Sequence, residues 1–102
     1  MFSFLQVFIM IPISSISHNI FLSIEGVFAD IDDTISTKGT LTAEAYKSLE
    51  MVQAAGLKMI PVTGRSAGWC DHIARMWPVN GIVGENGAFY FFYDHKNKKL
   101  IK

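Results

Sequence analysis

Three short polar clusters hold the residues of this sequence that could do chemistry. They read Asp30-Ile31-Asp32-Asp33-Thr34, Thr63-Gly64-Arg65 and Glu85-Asn86-Gly87-Ala88. Two carboxylates such as those of Asp30 and Asp32 can perform acid–base or metal-binding chemistry when both reach one pocket. Side chains two positions apart lie on one face of an extended strand, and a turn directly after the strand would let both carboxylates reach one pocket.

The elements that must position these clusters are short strands alternating with helices. Each cluster follows an apolar run that suits a buried strand of a parallel sheet: Val27–Ala29, Leu57–Val62 and Ile82–Val83. Thr42 can cap one helix that Gly56 ends, and Ser66 can cap a second helix. Phe89–Tyr93 and Leu100–Ile101 then predict the two strands of a β-hairpin.

The order of these elements predicts an α/β fold. We expect the first half of a Rossmannoid three-layer sandwich, in which a parallel sheet has right-handed crossovers and the chain ends in the hairpin. Ligands of such sheets bind outside the carboxyl ends of the strands, and all three polar clusters follow such ends. Each cluster alone also has a structural interpretation, because Asp and Thr cap turns and Asn-Gly forms hairpin turns. Their shared position favours a site.

The three segments resemble motifs of the haloacid dehalogenase superfamily of phosphohydrolases. FADIDDTIS resembles its first motif, an apolar strand followed by Asp-x-Asp-x-Thr, and MIPVTGRS resembles its second motif in the Thr-Gly-Arg form. GIVGENGAFY is similar to a strand of the Cof-like branch, type IIB, whose cap domain is inserted after the third strand. That branch includes sugar-phosphate phosphatases. The resemblance covers Gly26 to about Lys102.

The resemblance implies a Mg²⁺-dependent hydrolase of phosphomonoesters that acts on a small phosphorylated metabolite, a sugar phosphate, through an aspartyl-phosphate intermediate. Asp30 would be the nucleophile and Asp32 the general acid and base. Both would supply oxygen ligands to Mg²⁺, Asp32 through its backbone carbonyl. Thr34 would brace the loop. The residues that would bind the phosphate or the substrate are Thr63, Gly64, Arg65 and Asn86.

The sequence departs from the family pattern in two respects. Position 33 is often Gly in this superfamily and is Asp here, which adds negative charge near the metal. The family also needs a later lysine and a later acidic pair, and both would follow the cap. We therefore expect an incomplete fragment that binds Mg²⁺ weakly and is inactive on its own. The lysines of the last segment fit a solvated basic edge instead: Lys96, Lys98, Lys99 and Lys102.

Residues 1–24 form an apolar leader without Asp, Glu, Lys or Arg. A secretory signal would need a basic start, and a membrane span would be interrupted by Pro12 and the polar residues after it. We favour a third interpretation, in which the leader lies outside a domain of residues 25–102, while a role in targeting or membrane insertion stays open. The net charge of zero argues against nucleic acid or an anionic membrane as partner. The single cysteine, Cys70, fits the core and a cytoplasmic location.

A non-enzymatic alternative stays open, in which the chain is an inert remnant or a binding module. A half-sheet of this size buries little surface and leaves one strand edge open. It would be marginally stable, dependent on a partner or prone to aggregate. A phosphoacceptor receiver domain is disfavoured, because it needs an Asp at the end of the third strand, where this chain has Glu85.

Overall fold

The computed structural model describes residues 12–102, which form a five-stranded sheet with helices packed against it. The strands are β1 (Gly26–Asp30), β2 (Lys58–Val62), β3 (Ile82–Gly84), β4 (Phe89–Asp94) and β5 (Lys99–Ile101). The helices are α1 (His18–Ser23), α2 (Ala43–Ala54) and α3 (Ala67–Met76). Shorter helical turns are Ile13–Ser15, Ile31–Ile35 and Glu85–Gly87.

The sheet is parallel at one side and antiparallel at the other, with the strands in sequence order. In the parallel part, Asp30 of β1 lies opposite Val62 of β2, which lies opposite Val83 of β3. β4 runs antiparallel to β3, and β5 runs antiparallel to β4. The expected parallel strands and the final hairpin are confirmed. The hairpin between β3 and β4 makes the sheet mixed.

The helices begin and end where the sequence predicts. The Thr42 hydroxyl accepts a hydrogen bond from the backbone N–H of Ala45 at 3.1 Å, which caps α2. Gly56 follows α2 with a φ of +86°, the left-handed conformation that glycine adopts at low cost. Ser66 occupies the cap position of α3, but within residues 12–102 its side chain makes no capping hydrogen bond.

Both long helices pack on the same face of the sheet and form one core with it. Its buried apolar residues include Ile31, Leu49, Met59, Cys70, Ile73, Ala74, Val79, Ile82 and Phe91. The expectation that Cys70 is a core residue is thus confirmed. The other face presents alternate side chains of the strands, Phe28, Ile60, Tyr90 and Phe92, which line one shallow groove. Within residues 12–102 this face has no helix over it, so the two layers described belong to an α/β sandwich.

The apolar leader is described only in part. Residues 1–11 lie outside the described part of the chain, whereas residues 12–24 form the short turn and α1, neither of which has a buried residue. No helix between residues 12 and 102 is long and apolar enough to cross a membrane.

Candidate functional site

The three polar clusters meet at the carboxyl end of the parallel strands. Asp30 is the last residue of β1, Thr63 directly follows β2, and Glu85 directly follows β3. The pairing of β1, β2 and β3 places these strand ends side by side. The placement that the sequence order predicted is therefore the one that the fold produces.

The loop after β1 turns sharply at Asp33. The N–H of Ser36 donates to the carbonyl oxygen of Ile31 at 2.9 Å and closes a wide turn over Ile31–Ile35. Asp33 has a φ of +57°, and its carboxylate accepts a hydrogen bond from the N–H of Lys38 at 3.0 Å. The turn begins at Ile31, directly after β1, and includes Asp32, so Asp30 and Asp32 both lie at the start of this loop. Both carboxylates are exposed.

Ser36 braces this loop, whereas the family resemblance implies that role for Thr34. The buried Ser36 hydroxyl donates to the carbonyl oxygen of Ile31 at 3.1 Å and accepts from the N–H of Asp33 at 3.3 Å. Thr34 is exposed, and within residues 12–102 its side chain makes no hydrogen bond. A supporting role for Thr34 stays a prediction. The signal for Ser36 was weak, because a serine in a polar loop is common.

The loop after β2 is held from two sides by backbone hydrogen bonds. The N–H of Thr63 donates to the carbonyl of Val83 at 2.9 Å, and the N–H of Asn86 donates to the carbonyl of Thr63 at 3.1 Å. The buried Thr63 hydroxyl accepts from the N–H of Arg65 at 3.1 Å. These hydrogen bonds hold the loop after β2 against the turn after β3.

The turn Glu85–Gly87 serves two purposes. It is the connection of the β3–β4 hairpin, and Asn86 lies within it at a φ of +56°. Its side chain also lies beside Gly64, because a Cβ atom on Gly64 would meet the Asn86 amide oxygen at 2.9 Å. Glycine at position 64 thus permits the approach of Asn86. The hairpin interpretation and the site interpretation of this segment are compatible.

An ion pair joins the first cluster to the second. The Arg65 Nη2 donates to the Asp32 Oδ1 at 2.7 Å, and the two side chains are 23% and 58% exposed. The guanidinium carbon of Arg65 lies 4.5 Å from the centroid of the Trp69 ring, a cation–π contact. A pair this exposed contributes only about 0–1 kcal/mol to stability. The main effect of the ion pair is therefore to orient the side chains of Arg65 and Asp32.

Cys70 lies under the site and stays in the thiol form at neutral pH. Burial in the core and the neighbouring carboxylate of Glu85 raise the pKa of the thiol, against a smaller opposing effect of Arg65. Its Sγ donates a weak hydrogen bond to the carbonyl of Arg65 at 3.7 Å. A buried neutral thiol is a poor nucleophile. We therefore assign Cys70 a packing role beneath the loop and no role in catalysis.

The charged hairpin turn between β4 and β5 lies away from this end of the sheet. Within residues 12–102 no three His, Cys, Asp or Glu side chains form a group that could hold a metal ion. The turn between β4 and β5 lies at the opposite end of the sheet, because β4 runs antiparallel to β3. The lysines of this hairpin are exposed, as expected for a solvated edge: Lys96, Lys98 and Lys99.

Comparisons with known proteins agree with this arrangement. The model of a family described as haloacid dehalogenase-like hydrolase matches residues 27–102. A solved structure of a phosphatase of the haloalkanoate enzyme superfamily from Bacteroides thetaiotaomicron has a similar fold, with a TM-score of 0.60 and 23% sequence identity. The match covers 91% of this chain and 32% of that one, so the chain spans about a third of its length. A search of curated proteins gave no match.

Proposed function

Because this chain belongs to the haloacid dehalogenase-like hydrolases, we propose that it supplies the nucleophile side of a phosphomonoesterase active site. Residues 25–102 are the first portion of the core domain that carries this site. The observation that supports the proposal most is the meeting of three strand ends, where Asp30, Thr63 and Asn86 follow neighbouring elements. Carboxylate, hydroxyl and amide groups at one sheet edge suit the transfer of a phosphoryl group.

Asp30 and Asp32 divide the proton and phosphoryl transfers between them. A carboxylate oxygen of Asp30 attacks phosphorus, the ester P–O bond breaks, and Asp32 gives its proton to the leaving oxygen. Water then attacks the aspartyl-phosphate, Asp32 takes a proton from that water, and the bond between Asp30 and phosphorus breaks to release phosphate. This division is supported by the position of Asp30 at the end of β1 and of Asp32 in the turn that follows directly.

The loops after β2 and β3 bind the phosphoryl group in this proposal. The Thr63 hydroxyl accepts from the N–H of Arg65 and still has its own proton to donate to a phosphoryl oxygen. The amide of Gly64, just before the N-terminus of α3, is a second donor. Asn86 lies beside Gly64 and can contact the same oxygens or the substrate.

The donors near Asp30 suit Mg²⁺ in kind. The carboxylate of Asp30 and the backbone carbonyl of Asp32 are hard oxygen ligands, and Mg²⁺ keeps several waters when few protein oxygens are offered. When bound, the ion would reduce the repulsion between the Asp30 carboxylate and the phosphate. Two protein ligands make a weak site, so we expect full occupancy only at high Mg²⁺ concentration.

We propose a small phosphorylated metabolite as substrate, of the sugar-phosphate class, and a cytoplasmic location. Asp30 and Asp32 are exposed at the carboxyl end of the parallel strands, which favours a soluble substrate that approaches from solvent. The neutral net charge gives no basic field for a nucleic acid. The single buried thiol is compatible with a reducing compartment.

An inert remnant or a binding module remains the second candidate, and two observations favour it. β1, the strand of the proposed nucleophile, lies at the edge of the described sheet. The apolar face that carries Phe28 is exposed to solvent. A chain of this kind would bind partners through its sheet and would not turn over phosphate.

Replacement of Asp30 by Asn separates the two candidates. In a full-length form that includes the later lysine and acidic pair, we expect hydrolysis of p-nitrophenyl phosphate with Mg²⁺, and D30N should reduce the rate by roughly 100-fold or more, because an amide cannot form the intermediate. Removal of Mg²⁺ with a chelator should stop the wild-type reaction. Intact-mass spectrometry of the acid-quenched reaction should detect one added phosphoryl group on the wild-type chain and none on D30N.

Asp33→Asn is the matched control for this experiment. Asp33 lies in the same loop and is also exposed, and an asparagine oxygen can still accept from the N–H of Lys38. The rate of D33N should remain near that of the wild type. Equal activity of D30N and wild type would refute the assignment of the nucleophile. A wild-type chain that neither turns over nor gains a phosphoryl group would favour the inert candidate.

A further inference from the structure

We propose that Trp69 is a positioning residue of this site, which orients the guanidinium of Arg65 so that Arg65 holds the carboxylate of Asp32. The inference rests on the function proposed above, because the orientation of Asp32 matters only if Asp32 exchanges protons with a substrate. Trp69 lies in the first turn of α3 and acts through Arg65, not on the substrate itself.

The three side chains form a continuous series of contacts. The ring centroid of Trp69 lies 4.5 Å from the Cζ atom of Arg65. The Nη2 atom of Arg65 then donates to the Oδ1 atom of Asp32 at 2.7 Å. Because this bond uses one carboxylate oxygen, the other oxygen of Asp32 can exchange a proton with a substrate.

The backbone of Arg65 is fixed more firmly than its side chain. Its N–H donates to the Thr63 hydroxyl at 3.1 Å, and its carbonyl accepts from the N–H of Glu85 at 3.0 Å. In contrast, the Nε of Arg65 is buried and has no hydrogen-bond partner within residues 12–102. A guanidinium held by one hydrogen bond can still rotate, so the aromatic face beside it is what restrains its plane.

Burial in the core does not explain Trp69. Ile73, one turn further along α3, is fully buried, whereas Trp69 is 54% exposed. Trp69 and Arg65 both line a cavity of about 200 Å³ between α3 and the loop after β1, to which Ser36 also contributes. A large aromatic side chain that is half exposed beside a charged pair at the site is better explained by its contact with Arg65 than by packing.

The orientation of Asp32 matters most for poor leaving groups. As the bond between Asp30 and phosphorus forms and the ester bond breaks, an alkoxide needs the proton of Asp32. A p-nitrophenolate leaves without it, because it is already a stable anion. Misplacement of Asp32 should therefore slow the hydrolysis of an alkyl phosphate more than that of p-nitrophenyl phosphate.

The test compares Trp69→Leu with two further variants, all in the full-length form used for D30N. Trp69→Phe keeps an aromatic face over Arg65 and should restore most of the function. His72→Leu is the matched control, because His72 is an exposed residue of the same helix that lines the same cavity. For each protein we would measure kcat and KM for glycerol phosphate and for p-nitrophenyl phosphate.

We expect W69L to lower kcat for glycerol phosphate relative to p-nitrophenyl phosphate by roughly two- to fivefold, the factor that corresponds to an exposed cation–π contact. KM should change little. H72L should leave the ratio of the two kcat values unchanged. An unchanged ratio of the two kcat values in W69L would overturn the inference, even if both kcat values fall by the same factor.

A second measurement on the ligand-free protein distinguishes failure of this inference from failure of the proposed function. Contact with Asp32 slows rotation of the Arg65 guanidinium, which gives separate Nη signals in ¹⁵N NMR spectra. We expect W69L, but not H72L, to merge these signals. Separate signals in W69L would overturn the inference even if the wild type is active. Merged signals together with an inactive wild type would overturn the proposed function and leave the contact established.

Discussion

At the scale of single residues, Asp33 explains one departure from the family pattern. Its φ of +57° lies in the left-handed region, which Gly adopts without strain and which Asp tolerates better than most residues. The Gly that is frequent at this position would satisfy the same backbone requirement. The Asp33 carboxylate also accepts a hydrogen bond from the N–H of Lys38, which stabilises the conformation of the loop.

We therefore predict that Asp33→Val destabilises the chain by about 1–3 kcal/mol, because a β-branched side chain is strained at a positive φ and cannot accept the hydrogen bond from Lys38. Chemical denaturation followed by circular dichroism measures this change. Asp33→Asn, which keeps both the tolerance and the acceptor, should lie within about 0.5 kcal/mol of the wild type. Equal stability of D33V and wild type would contradict the strain argument.

The contacts between the predicted site residues were harder to foresee than their positions. The sequence order of the three clusters was sufficient to place Asp30, Thr63 and Asn86 at one sheet edge. The bond from Arg65 to Asp32 joins residues that are 33 positions apart and depends on side-chain conformation, which no periodicity encodes. Ser36 was missed for a similar reason, because its two hydrogen bonds exist only once the turn at Asp33 has formed.

At the scale of elements, Asn80 ties α2, β2 and β3 together. Its side-chain oxygen accepts from the N–H of Met59 at 2.8 Å and from the Nε2 of Gln53 at 3.1 Å. Its own N–H donates to the carbonyl of Met59 at 2.8 Å. Asn80 thereby continues the pairing of β2 into the segment before β3, beyond the point where regular strand pairing exists.

We predict that Asn80→Ala lowers the free energy of unfolding by about 1–3 kcal/mol, because it leaves the N–H of the buried Met59 without its acceptor. Asn80→Asp keeps an oxygen for both donors and is the matched control. Its stability should remain close to that of the wild type at neutral pH. Urea unfolding curves measure the stability of both variants. Equal losses of stability in N80A and N80D would contradict the prediction, because they would show that a hydrogen-bond acceptor at position 80 is not sufficient.

Element order could be predicted from the sequence more fully than the pairing of the elements. Apolar runs, the cap at Thr42 and the stop at Gly56 set the strands and helices to within a few residues. The antiparallel pairing of β3 with β4 was not deduced, because the sequence of this segment fits a phosphate-binding turn as well as a hairpin. The positive φ values of Glu85 and Asn86 bring both interpretations into one structure.

At the scale of the whole molecule, residues 12–102 cover the sheet on one face only. The covered face carries the core beneath α2 and α3. The strand residues that alternate with those of the core point to the other face. Phe28 is 69% exposed there, and Tyr90 is 59% exposed. Apolar side chains grouped on an uncovered sheet face, next to an open strand edge at β1, favour association with another surface.

We predict that the isolated chain self-associates through this face. Phe28→Thr should reduce association and the binding of a hydrophobic dye, since threonine removes apolar area while it keeps a high strand propensity. Met76→Gln is the matched control, because Met76 is 62% exposed but lies at the end of α3, away from the face. Sedimentation velocity over a range of concentrations should give a smaller average species for F28T and an unchanged one for M76Q. A wild-type chain that sediments as a monomer and unfolds cooperatively would contradict this argument, because it would mean that the bare face is tolerated in water. Equal effects of the two substitutions would mean that general surface hydrophobicity, and not the sheet face, drives association.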